Sequence, residues 1–397
     1  MFLKEEIFNF VQKHKDDDIH KLLLSKQELS GEELKFAVQQ IEGRQRVKNK
    51  LPEWYNTPRI LYPVHLSLEQ CSSAETAKYK ASLVQGDSLI DLTGGFGVDT
   101  SYLAQKFDSV VYVERNPDLY QIVSHNFKQM GLNHIQTINS EAESVLKDLE
   151  LVDTVFIDPA RRDNTGGKLV SIGDCVPNVI ELQSVFQAKA KQVLIKLSPM
   201  LDLTQALREL DYVSHVYIVA LSNECKELLV LVDYTKEETK NPQICCVNLG
   251  KNDQLEEFSF SLNDEERIDV GYATEVKKYL FEPNAAVLKG GAYKSIAKRF
   301  NVDKLHPNSH LYTSDRYLSD FPGRKFEINE VLNFNKTSLK KLKTITKKAN
   351  LTIRNFPSSV DSLRKKLKIA EGGEKYIFAT TLMNEEKVLL VCSKLTN

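Results

Sequence analysis

SLIDLTGGFGVDT, residues 88–100, is the stretch from which the rest of the sequence can be ordered. An apolar run ends in Asp91, a glycine turn follows, and a helical pattern begins. Glycines let the backbone approach a ligand closely, and a helix N-terminus presents free N–H groups. Read as the dinucleotide fingerprint G-x-G-x-x-G, the turn starts at Gly95 and Gly97 but has Thr100 in third place, which departs from the nicotinamide pattern. The next apolar run, VVYVERN, carries Glu114 at its tip, 114 − 95 = 19 residues beyond Gly95. An acid there can accept both hydroxyls of a ribose. Turn and acid together point to a cofactor that carries a nucleoside.

Outward from this motif, short apolar runs alternate with amphipathic stretches. The runs are SLIDL (88–92), VVYV (110–113), a weaker HIQTI (134–138), TVFI (154–157), QVLIKL (192–197), VYIVAL (216–221) and LLVLVDY (228–234). Helical patterns fall near 99–106, 117–131, 141–149, 178–189 and 202–210. This alternation predicts a parallel sheet covered on both faces. Only SNECKE separates the last two runs, too few residues for a crossover helix, so they must pair antiparallel. The polar TKEETKNP (235–242) is expected to end the sheet. Beyond it the end of the chain reads β-α-β-α-β-β. The first ~50 residues read as helices, with a capping box of Ser30 and Glu33 before Leu34, Val38 and Ile41 at helical spacing. Arg44, Arg46, Lys48 and Lys50 close that pattern, either as a basic last turn that suits the helix dipole or as a phosphate contact. Trp54, Tyr55, Pro58 and Pro63 mark an irregular segment.

Composition narrows the class. The 397 residues are 42% hydrophobic and 27% charged, with 53 Lys+Arg against 54 Asp+Glu and a net charge of −1, which excludes a wholly basic binder, a collagen and a disordered tail. No apolar run approaches the ~18 residues of a membrane span. Acids interrupt the start of the chain where a signal peptide would be apolar, so a cytoplasmic protein is expected. The six scattered cysteines form no C-x-x-C pair and no zinc-finger spacing, so reduced thiols and no metal site are expected. Cys245 and Cys246 read as strand core.

Two further strand ends bear on chemistry. Glu141 follows HIQTI, placed either to receive an adenine amino group or as an ordinary helix-start acid. Asp158-Pro159-Ala160-Arg161-Arg162-Asp163 follows TVFI, where open sheets bind their ligands. Guanidinium groups there suit phosphate.

On these residues the sequence resembles the class I S-adenosylmethionine-dependent methyltransferases over roughly residues 65–234. The resemblance implies a Rossmann-like seven-stranded α/β sheet. It assigns Asp91, Thr93, Gly95 and Gly97 to the cofactor turn, with Thr93 in place of the motif's first glycine. It gives Glu114 the ribose and Glu141 the adenine, and it opens the catalytic loop at Asp158, Pro159 and Arg161. By the same resemblance, the segment holding Gln70, Ser72, Ser73 and Lys80 covers the methionine end of the cofactor. A plain helix cap explains the serines equally well. The loop lacks the aromatic residue usual in adenine N6 methyltransferases. It is closer to the D-P-P-R of 5-methyluridine methyltransferases, which need a cysteine after the next strand. Here that strand ends Lys196-Leu197-Ser198-Pro199, and Lys196 reads either as a site residue or, slightly favoured, as a side chain snorkelling from a strand end.

A narrower resemblance joins EQCSSAETAKYKA (69–81), DPARRD (158–163) and RNFPSSVDSLRKKLKIAEGGEKYIFATT (354–381). These look like bacterial methyltransferases with a C-terminal THUMP-like domain and a ferredoxin-like piece before it. The resemblance implies an N-terminal helical region (1–68), a methyltransferase domain (69–235), a ferredoxin-like α+β region (243–324) and a THUMP-like domain (325–397). It implies structured RNA, tRNA or rRNA, as substrate. From Lys336 to Lys368 there are nine Lys and two Arg against Asp361 alone, so 11 − 1 = +10. Such a stretch can track a phosphate backbone, with Tyr376 and Phe378 nearby, or simply form a solvated face. Arg162, Lys340, Lys341, Lys347, Lys348 and Arg354 are the candidate substrate contacts. The competing expectations are a methyltransferase for proteins or small molecules and a catalytically silent RNA-binding protein.

Overall fold

The alternation of apolar runs and amphipathic stretches folds as a parallel-dominated sheet. The computed structural model describes residues 4–24, 28–29, 31–161, 171–250 and 254–395. Two compact units divide the chain, Met1–Ser214 with Leu228–Lys240 and His215–Glu227 with Asn241–Asn397. The strands are β1 (Ser88–Asp91), β2 (Ser109–Glu114), β3 (Ile135–Asn139), β4 (Val152–Ile157), β5 (Ala190–Leu197), β6 (Val213–Leu221) and β7 (Glu224–Asp233). Their order is β6-β7-β5-β4-β1-β2-β3. β1 runs parallel to β2 and β4, β2 to β3, and β4 to β5, while β7 is antiparallel to β5. Both faces of the central strands are covered: Val155, Phe156, Ile157, Val193, Leu194 and Ile195 are buried. β6 and β7 are joined by Ser222 and Asn223, at φ of 51° and 68°. Positive φ at both central residues is what a tight type I′ hairpin turn needs.

The sheet does not end at the polar segment 235–242. Strand β8 (Gln243–Leu249) pairs parallel with β6, and β9 (Leu255–Phe260) pairs antiparallel with β8. Ile244, Cys246 and Val247 are fully buried, so the QICCVNL run needed a sheet to join, and β6 offered an open edge. Cys245 and Cys246 are strand residues, and none of the six cysteines is in a disulfide.

The N-terminal region is helical as read: Glu5–Lys13, Ile19–Leu24 and Gly31–Val47. Ser30 lies outside the described residues. The segment after it is less irregular than expected, because Pro52 starts a short helix, Pro52–Asn56, where a missing N–H costs nothing. The four basic residues form no phosphate-facing cluster. Arg44 is buried on Gln12 and the Tyr55 carbonyl, Arg46 pairs with Glu42, Lys48 with Asp16, and Lys50 caps the Leu68 and Glu69 carbonyls. The region braces the sheet. Asn126 exchanges two 2.8 Å hydrogen bonds with the backbone of Leu61, and Gln40 does the same for Tyr62 at 2.7 and 3.1 Å.

In the second unit a further sheet contains β10 (Tyr279–Pro283), β11 (Asp303–Lys304), β12 (Tyr312–Ser314), β13 (Gly323–Asn333), β14 (Asn350–Arg354), β15 (Lys375–Thr381) and β16 (Lys387–Leu395). Their order is β11-β12-β10-β13-β16-β15-β14. From β13 onward the sequence of elements is the β-α-β-α-β-β read from the chain, with helices Lys336–Ile345 and Val360–Leu367. Leu342, Leu363 and Leu367 anchor them, each fully buried. Phe378 is fully buried against Phe326 and belongs to the core, and partly buried Tyr376 packs on the same ring, so neither stands as an open stacking platform beside the lysines. Across β10, β13 and β14, Glu282 is 3% exposed between Arg324 and Arg354. Removing one partner of a buried ion pair leaves the others' charge uncompensated. Glu282→Ala should lower stability by about 2 kcal/mol, less than a fully buried pair because both arginines keep about a third of their surface in water. Urea unfolding measures it, and an unchanged midpoint would show that the two arginines need no counter-charge.

Candidate active site

The site is built at the carboxyl ends of β1, β2, β4 and β5. Asp91 ends β1 and is 1% exposed. It is placed to shape the turn: one oxygen accepts the Thr93 N–H at 3.0 Å and the other the Thr100 hydroxyl at 2.5 Å. Gly94 and Gly97 are required sterically. A Cβ at Gly94 would lie 2.0 Å from the Tyr112 ring, and one at Gly97, φ 76°, would lie 2.7 Å from Val123. Gly95 differs. Its φ is 55°, and an added Cβ would meet nothing nearer than the Thr93 carbonyl at 3.8 Å, so its face of the turn is open.

Glu114 ends β2 beside this open face. Its carboxylate accepts the Gly95 N–H at 3.0 Å and the Asn116 N–H at 2.7 Å, one on each oxygen, and each oxygen keeps a further lone pair. Tyr112 donates to the Gly95 carbonyl at 2.6 Å. Phe96 of the turn packs on buried Trp54 with ring centres 4.7 Å apart. Glu141 is exposed at the position preceding helix Ala142–Asp148.

The Thr93 hydroxyl explains why threonine stands where the motif has glycine. It accepts the Asp158 N–H at 2.6 Å and so ties the glycine turn to the loop after β4. Pro159 is buried behind Asp158. Arg162 and the side chain of Arg161 lie outside the described residues. The Asp158 carboxylate is 40% exposed and receives Lys196 at 2.6 Å. Lys196 is not a snorkelling side chain: only 12% exposed, it also pairs with Asp99 at 3.3 Å. Sequence reading passed over Asp99. It takes the Ser72 hydroxyl at 2.8 Å and buried Lys80 at 3.2 Å. Burial opposes its charge, but Lys80 and Lys196 outweigh it and hold the carboxyl below its usual range. Ser72 and Lys80 therefore belong to the site, whereas Ser73 caps its helix through the Thr76 N–H. The nearby Cys71 is no ready nucleophile, since burial pushes its thiol up.

Among the candidate substrate contacts, Lys340, Lys341, Lys347 and Lys348 are exposed, Lys341 being paired with Glu330. Arg354 is paired with Glu282. Among the described residues no His, Cys, Asp and Glu grouping could hold a metal ion, and no helix is long and apolar enough to cross a membrane.

Burial pushes the Asp91 carboxyl up to about 7, against the Thr100 and Thr93 hydrogen bonds, with the Asp99 and Asp158 charges adding to the rise. Below about pH 4 the group is protonated in both folded and unfolded chains. Between there and about 7 only the unfolded chain releases its proton, so this group's contribution to stability falls as pH rises across that window and is constant above it. Asp91→Asn should flatten this slope. Thermal melts from pH 4.5 to 7.5 test it, and an unaltered slope in the variant would assign the pH dependence elsewhere.

Comparison with known proteins places these elements in a family. Residues 279–322 match a ferredoxin-like domain family and residues 323–394 a THUMP domain-like family. A crystal structure from Porphyromonas gingivalis W83, provisionally named a methyltransferase, is 34% identical, covers 100% of both chains and superposes with a TM-score of 0.92. A probable cobalt-precorrin-6B C(15)-methyltransferase (decarboxylating) of Methanobrevibacter smithii is 21% identical over 149 residues, 36% of this chain and 73% of that one. M. capricolum TrmK, solved with S-adenosyl-homocysteine, is 15% identical over 41% of this chain and 68% of that chain, with a TM-score of 0.32. By its full-length likeness to the P. gingivalis protein, the chain belongs to the family of class I methyltransferases that carry a ferredoxin-like and a THUMP-like domain at their C-terminal end.

Proposed function

We propose that the chain is a cytoplasmic S-adenosylmethionine-dependent methyltransferase whose acceptor is structured RNA, a tRNA or rRNA. The observation that carries the reading is the Thr93 hydroxyl's bond to the Asp158 N–H, which joins a nucleoside-binding turn to an acceptor loop. The donor set fits the cofactor. Gly95 leaves an open face for close approach, and Glu114 retains lone pairs for two ribose hydroxyls. Glu141 is exposed and available to the adenine amino group. When bound, the cofactor supplies an electrophilic methyl on a sulfonium, and in-line displacement from it needs no metal.

The chain's own part is alignment. Asp158 presents a carboxylate that accepts a hydrogen bond from the atom to be methylated and orients its lone pair. Pro159 fixes the direction of the loop. Arg161 and Arg162 are proposed to meet phosphate. In the THUMP-like domain, the exposed lysines 340, 341, 347 and 348 supply the sequence-independent part of RNA binding. The domain's match to THUMP-like sequences and its local charge of +10 over residues 336–368 favour RNA over a protein or a small molecule.

Radiolabelled methyl transfer tests the reading, with total RNA and total protein from a strain lacking the gene as acceptors. Label should appear in RNA with the wild-type chain and form at least about a hundredfold more slowly, though measurably, with Asp158→Ala. Label in protein alone would replace RNA as the acceptor, and no cofactor binding would remove the enzyme reading altogether. Reversing Lys340, Lys341, Lys347 and Lys348 to Glu should weaken RNA affinity and flatten its salt dependence by roughly 0.7–0.9 per lost phosphate contact. Unchanged affinity would assign these lysines to solubility only.

A further inference from the structure

The charged groups behind Asp158 form a chain that the sequence did not announce. It runs Lys80, Asp99, Lys196, Asp158, with links of 3.2, 3.3 and 2.6 Å. Ser72 bridges its inner end, accepting from Lys80 at 3.1 Å and donating to Asp99 at 2.8 Å. Signs alternate, so two ammoniums and two carboxylates sum to zero. Exposure rises along it: the side chain of Lys80 is at 0%, those of Asp99 and Lys196 at 11% and 12%, and that of Asp158 at 40%.

Ion chains this buried are a poor way to gain stability, because well-packed apolar residues would do as well or better. What such a chain does well is fix geometry. Each buried charge has one low-energy place, set by its neighbours, and the exposed end inherits that placement. Here four separate pieces of sequence contribute. Lys80 comes from the helix before β1, Asp99 from the helix after the glycine turn, Lys196 from the end of β5 and Asp158 from the end of β4. Among the described residues, Lys196 is the group that contacts the Asp158 carboxylate. It grips one oxygen, Oδ2, and so determines where the other points.

We propose that Lys196, held in place by Asp99, is a positioning residue that fixes the Asp158 carboxylate toward the methyl acceptor. The proposal rests on Asp158 orienting the acceptor. Lys196 then touches neither cofactor nor acceptor, and its whole effect passes through Asp158. That makes a sharp expectation for kinetics. Removing Lys196 should slow transfer without weakening the cofactor, and it should have no effect once Asp158 is gone.

The test is a double-mutant cycle of Lys196→Met and Asp158→Ala in the full chain. Label transfer is followed at saturating S-adenosylmethionine, on whichever fraction, RNA or protein, the wild-type chain labels. S-adenosyl-homocysteine affinity is measured by calorimetry in each variant. Lys196→Met keeps the length of the side chain and leaves Asp99 with Lys80 and Ser72. Lys196→Gln, which retains a hydrogen-bond donor, stands in if melting shows that the first variant does not fold. The expected result is a loss in transfer of at least about tenfold for Lys196→Met, affinity for S-adenosyl-homocysteine within about threefold of wild type, and a double variant no slower than Asp158→Ala alone. Wild-type transfer by Lys196→Met would overturn the proposal. So would losses that multiply in the double variant, or a loss seen wholly as weaker S-adenosyl-homocysteine binding. If Asp158→Ala itself transfers normally, the reading of Asp158 fails and the proposal with it, which is a different result from a slow Asp158→Ala beside a fully active Lys196→Met.

Discussion

A carboxylate shut away from water holds the turn after the first strand, and the rest of the site is hung on that turn. Asp91 receives the Thr93 N–H and the Thr100 hydroxyl from opposite sides of the loop. Closing the loop in this way brings Gly94 against the face of Tyr112, where no side chain fits, and leaves Gly95 with an open side. It also turns the Thr93 hydroxyl toward the end of β4, where it meets the Asp158 N–H. One buried acid thus sets both the open face at Gly95 and the anchor of the loop after β4. The burial has a cost, visible in the upward shift of its own carboxyl, and the two hydrogen bonds offset it.

The same economy appears outside the turn. The N-terminal helices were open to two uses on sequence grounds, contact with substrate or support of the sheet, and their polar groups answer the question. Arg44, Arg46, Lys48 and Lys50 are all spent on partners in their own region. Trp54 lies under Phe96 of the glycine turn, and Ser72 and Lys80 reach Asp99. Through Trp54 the region supports the glycine turn. In the other unit, β13 pairs with β10 on one side and β16 on the other, so the ferredoxin-like and THUMP-like segments share one sheet across their sequence boundary.

What the sequence made legible follows from the range of the interactions involved. Strand runs, the glycine turn and the acid at the tip of β2 are local patterns, and the β-α-β-α-β-β end of the chain is a succession of local patterns. The pairing of Lys196 with Asp99 is not local: the two are 97 positions apart, and neither residue type says where its partner lies. A lysine at the end of a buried strand was a clue, since such a charge needs a counter-charge. The strand register then decides which one it finds. Phe378 misled for a related reason. An aromatic on a strand near lysines suits nucleic acid by composition, but both faces of β15 are covered, and Phe378 packs inside against Phe326. The first sheet runs on past the polar segment 235–242, which the sequence pattern marks as its end. A linker interrupts a chain without closing a sheet edge, and QICCVNL went on to pair with β6.

Charge is used in two opposite ways in this chain. Behind Asp158 it is neutralised pair by pair and kept from water, so dissolved salt has little access to it. Over residues 336–368 it is unbalanced by ten and carried largely by exposed lysines, where interactions weaken steeply as salt rises. The two arrangements suit two tasks. A long-range field from the lysines gathers a polyanion without fixing any atom of it. A desolvated ion chain gathers nothing, but it holds one carboxylate in a fixed place. Under the proposed reading, capture of RNA and alignment of its acceptor are then separable in energy. Rising ionic strength should act on the first through binding and leave the second, read as the rate at saturation, nearly untouched. A net charge of −1 for the whole chain conceals this division, because opposite charges concentrated in different places cancel in the sum and nowhere else.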